Sequence, residues 1–217
     1  MRTVSAIYEE YRIMPGLQMH QLRVAAVGKL ICDSLNASVD TEAVVQACLF
    51  HDMGNIIKSD LVLFPELLGD KGVEFWQAMK DEFIRKFGPN EHDAALVIAE
   101  KVGLPDVVAS LISGVGFSNL EEIRDRGSIE MKIVEYADLR VAPLGILPMH
   151  GRIEEAGKRY IGRHPDMPTD TSRLDALNAA ADEVERQIFA RCSLHPEDIT
   201  DERAAPVVEE LRKYVLA

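Results

Sequence analysis

Apolar residues recur at spacings of three and four along most of this chain, and no stretch alternates apolar with polar residues long enough to make a half-buried strand. That periodicity constrains the fold more than any other feature, because striped helices must bury their stripes against one another. It predicts helices over 3–13, 16–36, 40–53, 71–87, 90–102, 105–113, 119–126, 128–141, 149–162, 171–192 and 201–215. Asp40 before TEAVVQACLF and Thr200 before DERAAPVVEELRKYV read as N-caps, each offering a side-chain oxygen to the open N–H groups of a first turn. Gly88-Pro89-Asn90, Gly103-Leu104-Pro105 and His164-Pro165-Asp166 read as breaks. The expected fold is all-α, a helical bundle over 1–165 with a C-terminal helical extension over 166–217 packed on it.

Several ionisable residues fall on the apolar stripes, where they do not belong unless partnered. In 16–36, His20 continues the series of Leu17, Val24, Val27 and Ile31. In 40–53, Val44, Ala47 and Cys48 lead to His51, and Val45, Cys48 and Leu49 lead to Asp52. In 128–141, Asp138 shares a face with Met131, Val134 and Val141. Three helices therefore point two imidazoles and two carboxylates inward. Any one of these alone is satisfied by an ordinary core hydrogen bond, a cap or an ion pair. Together they want a cation, and a divalent metal neutralises both carboxylates while accepting both imidazole nitrogens. The mixed N/O set suits Mn, Fe, Co, Ni, Mg or Zn, and the residues do not choose among these.

Composition bounds the rest. The formal net charge of −12 repels phosphate backbones at long range and argues against a nucleic-acid binder, while leaving room for a small phosphorylated substrate held locally. No run of about 18 apolar residues is present, so no membrane span is expected. MRTVSAIYEEYR lacks the apolar core of a secretion signal, and Cys32, Cys48 and Cys192 are scattered and odd in number. The cytoplasm is the expected compartment.

The ordered set of His20, then His51-Asp52 followed by Met53-Gly54, then Asp138 in IVEYADLR, resembles the HD superfamily of metal-dependent phosphohydrolases. LQMHQLRVAAVGKLI is similar to that family's first ligand helix, and AVVQACLFHDMGN to its signature helix end. The resemblance covers about residues 15 to 142. It implies an HD-domain-like bundle in which His20, His51, Asp52 and Asp138 are metal ligands. Many relatives read HDxGK, whereas Asn55 stands here at the position of the Lys. Two-metal members carry two further histidines; His92 in NEHDAALVIAEKVGLP resembles the first, and LISGVGFSN, where the second belongs, contains none. A one-metal site is the expectation, with His92 either beside the substrate or a core histidine. The GYP motif of the HD-GYP cyclic-dinucleotide phosphodiesterases is absent.

The implied activity is hydrolysis of a nucleotide or another small phosphoester. Asp52 is the candidate to orient or deprotonate the attacking water. Arg23, one helical turn after His20, and Lys58, six residues after the doublet's His51-Asp52, are candidate cations for the phosphate charge, each with an ordinary reading as a solvated charge. Asn55 either bonds a phosphate oxygen or water, or caps the helix end. DLVLFPELLG at 60–69 is expected at the rim of the site or as a lid. Trp76 with Phe75, Met79, Phe83 and Phe87 forms a stripe suited to core or to a subunit contact, which makes a homodimer one expectation. His150, His164 and His195 are given no role. Two other functions stay open: a non-catalytic ligand-binding or regulatory HD-fold protein, and an HD-type di-iron oxygenase, which would need both extra histidines.

Overall fold

A computed structural model of the chain describes residues 2–163 and 171–216, with the backbone alone over 161–163. The expected helices are all there among the described residues: α1 (Val4–Glu10), α2 (Pro15–Asp33), α3 (Thr41–Phe50), α4 (Gly72–Phe87), α5 (Glu91–Val102), α6 (Asp106–Gly114), α7 (Leu120–Arg126), α8 (Ile129–Asp138), α9 (Met149–Arg163), α10 (Thr171–Phe189) and α11 (Asp201–Leu211). The fold is all-α. The ends follow local chemistry. Asp40 Oδ1 accepts from the Ala43 N–H at 2.9 Å and Thr200 Oγ1 from the Arg203 N–H at 3.3 Å, as cap residues do. Gly103 ends α5 with φ of 87°, a conformation that favours glycine. The break at His164-Pro165-Asp166, His164 itself and the boundary expected at 165 lie outside the described residues.

Several helices stop a few residues short of their expected ends, and behind two of them short strands take up the chain. After α8, β2 (Val141–Ala142) pairs with β3 (Gly145–Ile146); after α11, β4 (Val215–Leu216) pairs antiparallel with β1 (Arg2–Thr3). Strands two residues long carry no readable alternation, so a periodicity argument runs the helices through them.

α3 buries every residue from Ala43 to Phe50 and packs against α2, α6 and α8. α2 buries Leu22, Val24, Ala25, Ala26, Val27 and Ile31 and is covered on its other side by α11. α10 lies against α7 and α8, and Leu177, Val184, Ile188, Val208 and Leu211 join the same core as α2 and α3. Trp76 and Phe83 are buried, and Trp76 Nε1 donates to the Leu68 carbonyl at 2.7 Å, so the aromatic stripe of α4 clamps the segment 65–71.

The C-terminal segments are fastened to α8 by one buried side chain. Arg140 is 3 % exposed; Nε donates to Leu147 O at 2.5 Å, Nη1 to the Tyr136 hydroxyl at 2.7 Å and to Pro196 O at 3.1 Å, and Nη2 to Ile199 O at 3.0 Å. Replacing it leaves buried carbonyls without a donor, which is far more costly than losing a surface contact. Arg140→Ala is expected to lower stability by about 3 kcal/mol. The urea midpoint measures this, and a midpoint equal to that of the parent protein would show that the clamp contributes nothing.

Candidate metal centre

The centre forms where α2, α3 and α8 meet. Because α3 is buried from Ala43 to Phe50, its C-terminal end is carried into the interior, and His51 caps it there. The His51 Nδ1 lies 2.9 Å from the Cys48 carbonyl oxygen. A carbonyl only accepts, so Nδ1 carries a hydrogen and Nε2 is the nitrogen that faces the junction. That Nε2 is buried and makes no hydrogen bond. His20 of α2 and Asp138, the last residue of α8, face it.

The ligand atoms converge. His20 Nε2 lies 3.0 Å from Asp138 Oδ1 and 3.5 Å from Asp52 Oδ2; His51 Nε2 lies 3.5 Å from Asp138 Oδ1 and 3.8 Å from Asp52 Oδ2. The donor atoms of His20, His51 and Asp52 all fall within 4.8 Å of one another, a grouping that could hold a metal ion. Asn55 Nδ2 donates to Asp52 Oδ2 at 2.5 Å and so orients that carboxylate. Gly54 allows α5 to close over the turn, since a Cβ there would run into the Glu91 carbonyl oxygen and Ala94 Cβ.

Burial alone would lower the His51 pKa, but the Asp52 and Asp138 carboxylates overturn that and raise it to about 9. Burial alone would raise the Asp138 carboxyl; the His20 and His51 imidazoles hold it well below the usual carboxylate range. The two effects are one interaction seen from its two partners: the carboxylates hold positive charge on His51, and the imidazoles hold Asp138 ionised. Two imidazole nitrogens and two carboxylate oxygens fit a divalent metal, and the orphaned His51 Nε2 is the atom a metal would take.

The centre lies at one side of a cavity of about 310 Å³. His20, Asp52, Asn55, Lys58 and Asp138 line it, with Leu63, Phe64 and Leu67 from the 60–69 segment forming much of an apolar side. Lys58 Nζ is 3.3 Å from Glu91 Oε1; burial disfavours its charge, but Asp52 and then Glu91 outweigh this and raise its pKa. Arg23 and His92 lie elsewhere. Arg23 Nε meets Asp201 Oδ1 at 3.1 Å, tying α2 to the start of α11, and the residue is not part of the cavity lining. This corrects the expectation that it faces the mouth. Three residues advance a helix by about 300°, which turns Arg23 some 60° away from His20, toward the C-terminal helix. His92 is half-buried on α5 and is likewise absent from the lining, because α5 reaches the centre through its first-turn backbone at Gly54.

Sequence reasoning missed another part of the lining. Arg152 and Arg159 of α9 line the cavity, and Glu155 lies between them. The available signal was the spacing of Arg152, Glu155 and Arg159 on one face of an otherwise solvated helix.

Comparison with curated proteins and with solved structures gives no match. The model of the HD domain family matches residues 18–140, which span all four converging side chains and more than half of the 217 residues. This chain belongs to the HD domain family.

Proposed function

We propose that this protein is a metal-dependent phosphohydrolase acting on a nucleotide or another small phosphoester, with one divalent cation held by His20, His51, Asp52 and Asp138. The observation that carries the reading is the convergence of these four side chains beside a cavity that also presents basic groups. When bound there, the cation supplies Lewis-acid polarisation of a phosphoryl oxygen and a more acidic water. The chain's own residues do the rest. Asp52 accepts the proton of the attacking water, and Asn55 fixes the orientation of its carboxylate through the 2.5 Å bond. Lys58 offsets charge that grows on the phosphoryl oxygens. The cavity volume, at the lower end of the range for small-molecule sites, favours a compact substrate over a polymer.

Metal analysis of the purified protein is expected to give one divalent ion per chain, and a panel of small phosphoesters to yield inorganic phosphate. Asp52→Ala removes both the ion and turnover; a variant that keeps a full complement of metal would refute the ligand assignment. Asn55→Ala keeps the ligands but loosens one, with a loss of about 10- to 100-fold in metal affinity or rate. Stoichiometric metal without phosphate release from any ester would instead favour a regulatory HD-fold protein.

Metal uptake should be coupled to protons. Without metal, His51 holds a proton up to a pH of about 9, and an ion bound at Nε2 must displace it. Below that pH each ion bound releases a proton, so apparent affinity rises by about tenfold per pH unit and levels off above it. Calorimetry at pH 7 in buffers of different ionisation enthalpy measures the release. Zero release would mean that Nε2 of His51 is not a ligand.

A further inference from the structure

The α9 wall of the cavity takes no part in the metal centre, yet its chemistry is distinctive. Arg152 and Arg159 are seven residues apart on one helix face, with side chains 15 % and 22 % exposed, and both line the cavity. Arg159 grips Glu155 with two donors, Nε to Oε1 at 2.5 Å and Nη2 to Oε2 at 2.9 Å. Arg152 Nη1 reaches the same Oε2 at 3.5 Å. Two guanidinium groups thus converge on a single carboxylate oxygen. Arg152 is held from behind, since its Nε donates to the Val141 carbonyl at 2.6 Å, three residues from Asp138. Its Nη2 donates to nothing among the described residues.

In a chain of net charge −12, both of these arginines line the cavity. The Arg159–Glu155 pair is the four-apart, partly exposed kind that contributes little to stability. A phosphate offers two guanidinium forks more charge and more acceptor oxygens than Glu155 does. The carboxylate therefore marks where an anion binds and is readily exchanged for a better one.

We propose that Arg152 and Arg159 form a second anion subsite, so that the preferred substrate is a compact phosphoester carrying a further phosphate or carboxylate besides the phosphoryl group at the metal centre. Glu155 fills the subsite in the free protein and gives way to the substrate's anion. The inference rests on the phosphohydrolase reading for its turnover but not for its binding.

The test has two arms on the metal-loaded protein. In the first, calorimetry compares methylphosphonate with methylenebisphosphonate and its longer 1,3-propylene homologue. At least one bisphosphonate should bind about tenfold or more tightly than methylphosphonate. Arg152→Lys and Arg159→Lys keep the charge but lose the fork, and should erase most of that advantage. Glu155→Gln removes the internal competitor and should enlarge it. An advantage unchanged in both lysine variants, or reduced in Glu155→Gln, would overturn the subsite. In the second arm, Arg152→Lys should raise KM for doubly anionic esters about tenfold more than for singly anionic ones. Expected binding without any turnover would sink the hydrolase reading and leave the subsite; turnover with a binding advantage indifferent to the arginines would do the reverse.

Discussion

A helix that is buried from Ala43 to its end at Phe50 and meets acidic neighbours there calls for positive charge at its C-terminus. α3 is in that position. Its last carbonyls form the negative end of the helix dipole and point into the protein rather than into water. The hydrogen bond between His51 Nδ1 and the Cys48 carbonyl satisfies one of them and sets the imidazole, so that Nε2 faces Asp52 and Asp138. The rise of the His51 pKa to about 9 expresses that need as a proton; a divalent ion meets it with two charges and leaves no buried donor idle. The positions of α2, which brings His20, and of α5, which closes on Gly54, follow from enclosing this point.

The same stretch of chain that supplies Asp138 also anchors the rest of the cavity. Two residues beyond Asp138, Arg140 binds the carbonyls of Leu147, Pro196 and Ile199. One residue further, the Val141 carbonyl receives Arg152. Asp201 takes Arg23 of α2 with one oxygen and the Ile146 N–H with the other, which binds the C-terminal helix to the helix carrying His20. The C-terminal helices are therefore tied to the stretch that carries Asp138 and to α9 through short polar contacts and not through apolar packing alone. One turn before Asp138 on α8, Glu135 accepts the Gly116 N–H at 2.7 Å; burial and then the Asp138 charge push its carboxyl up to about 7, against the pull of that N–H. The centre thus sits in a frame whose polar members are tied to backbone groups, which suits side chains that must hold a fixed geometry around an ion.

The helices were legible because burial imposes a period, and α2, α3 and α8 are buried deeply enough to show it. The four converging residues were legible for the same reason: His20, His51, Asp52 and Asp138 interrupt stripes that should be apolar, and an interruption is visible in one dimension. Arg23 shows the limit of that argument. Being one turn from His20 limits how far apart two side chains start, but the neighbouring helix decides where the longer one goes, and Asp201 lies 178 residues away in sequence. The two-residue strands were too short to carry a period. Arg152 and Arg159 were hidden by a different cause. α9 is amphipathic, and its charged face reads as solvated because sequence distinguishes polar from apolar but not concave from convex. Whether a charged face meets bulk water or a cavity depends on what stands across from it, here Phe64 and Leu67, whose backbone is placed by Trp76 clamping the Leu68 carbonyl. Ionisable residues that break an apolar stripe are visible in the sequence; charged residues that line a cavity from a polar face become visible only once the rest of the lining is in place.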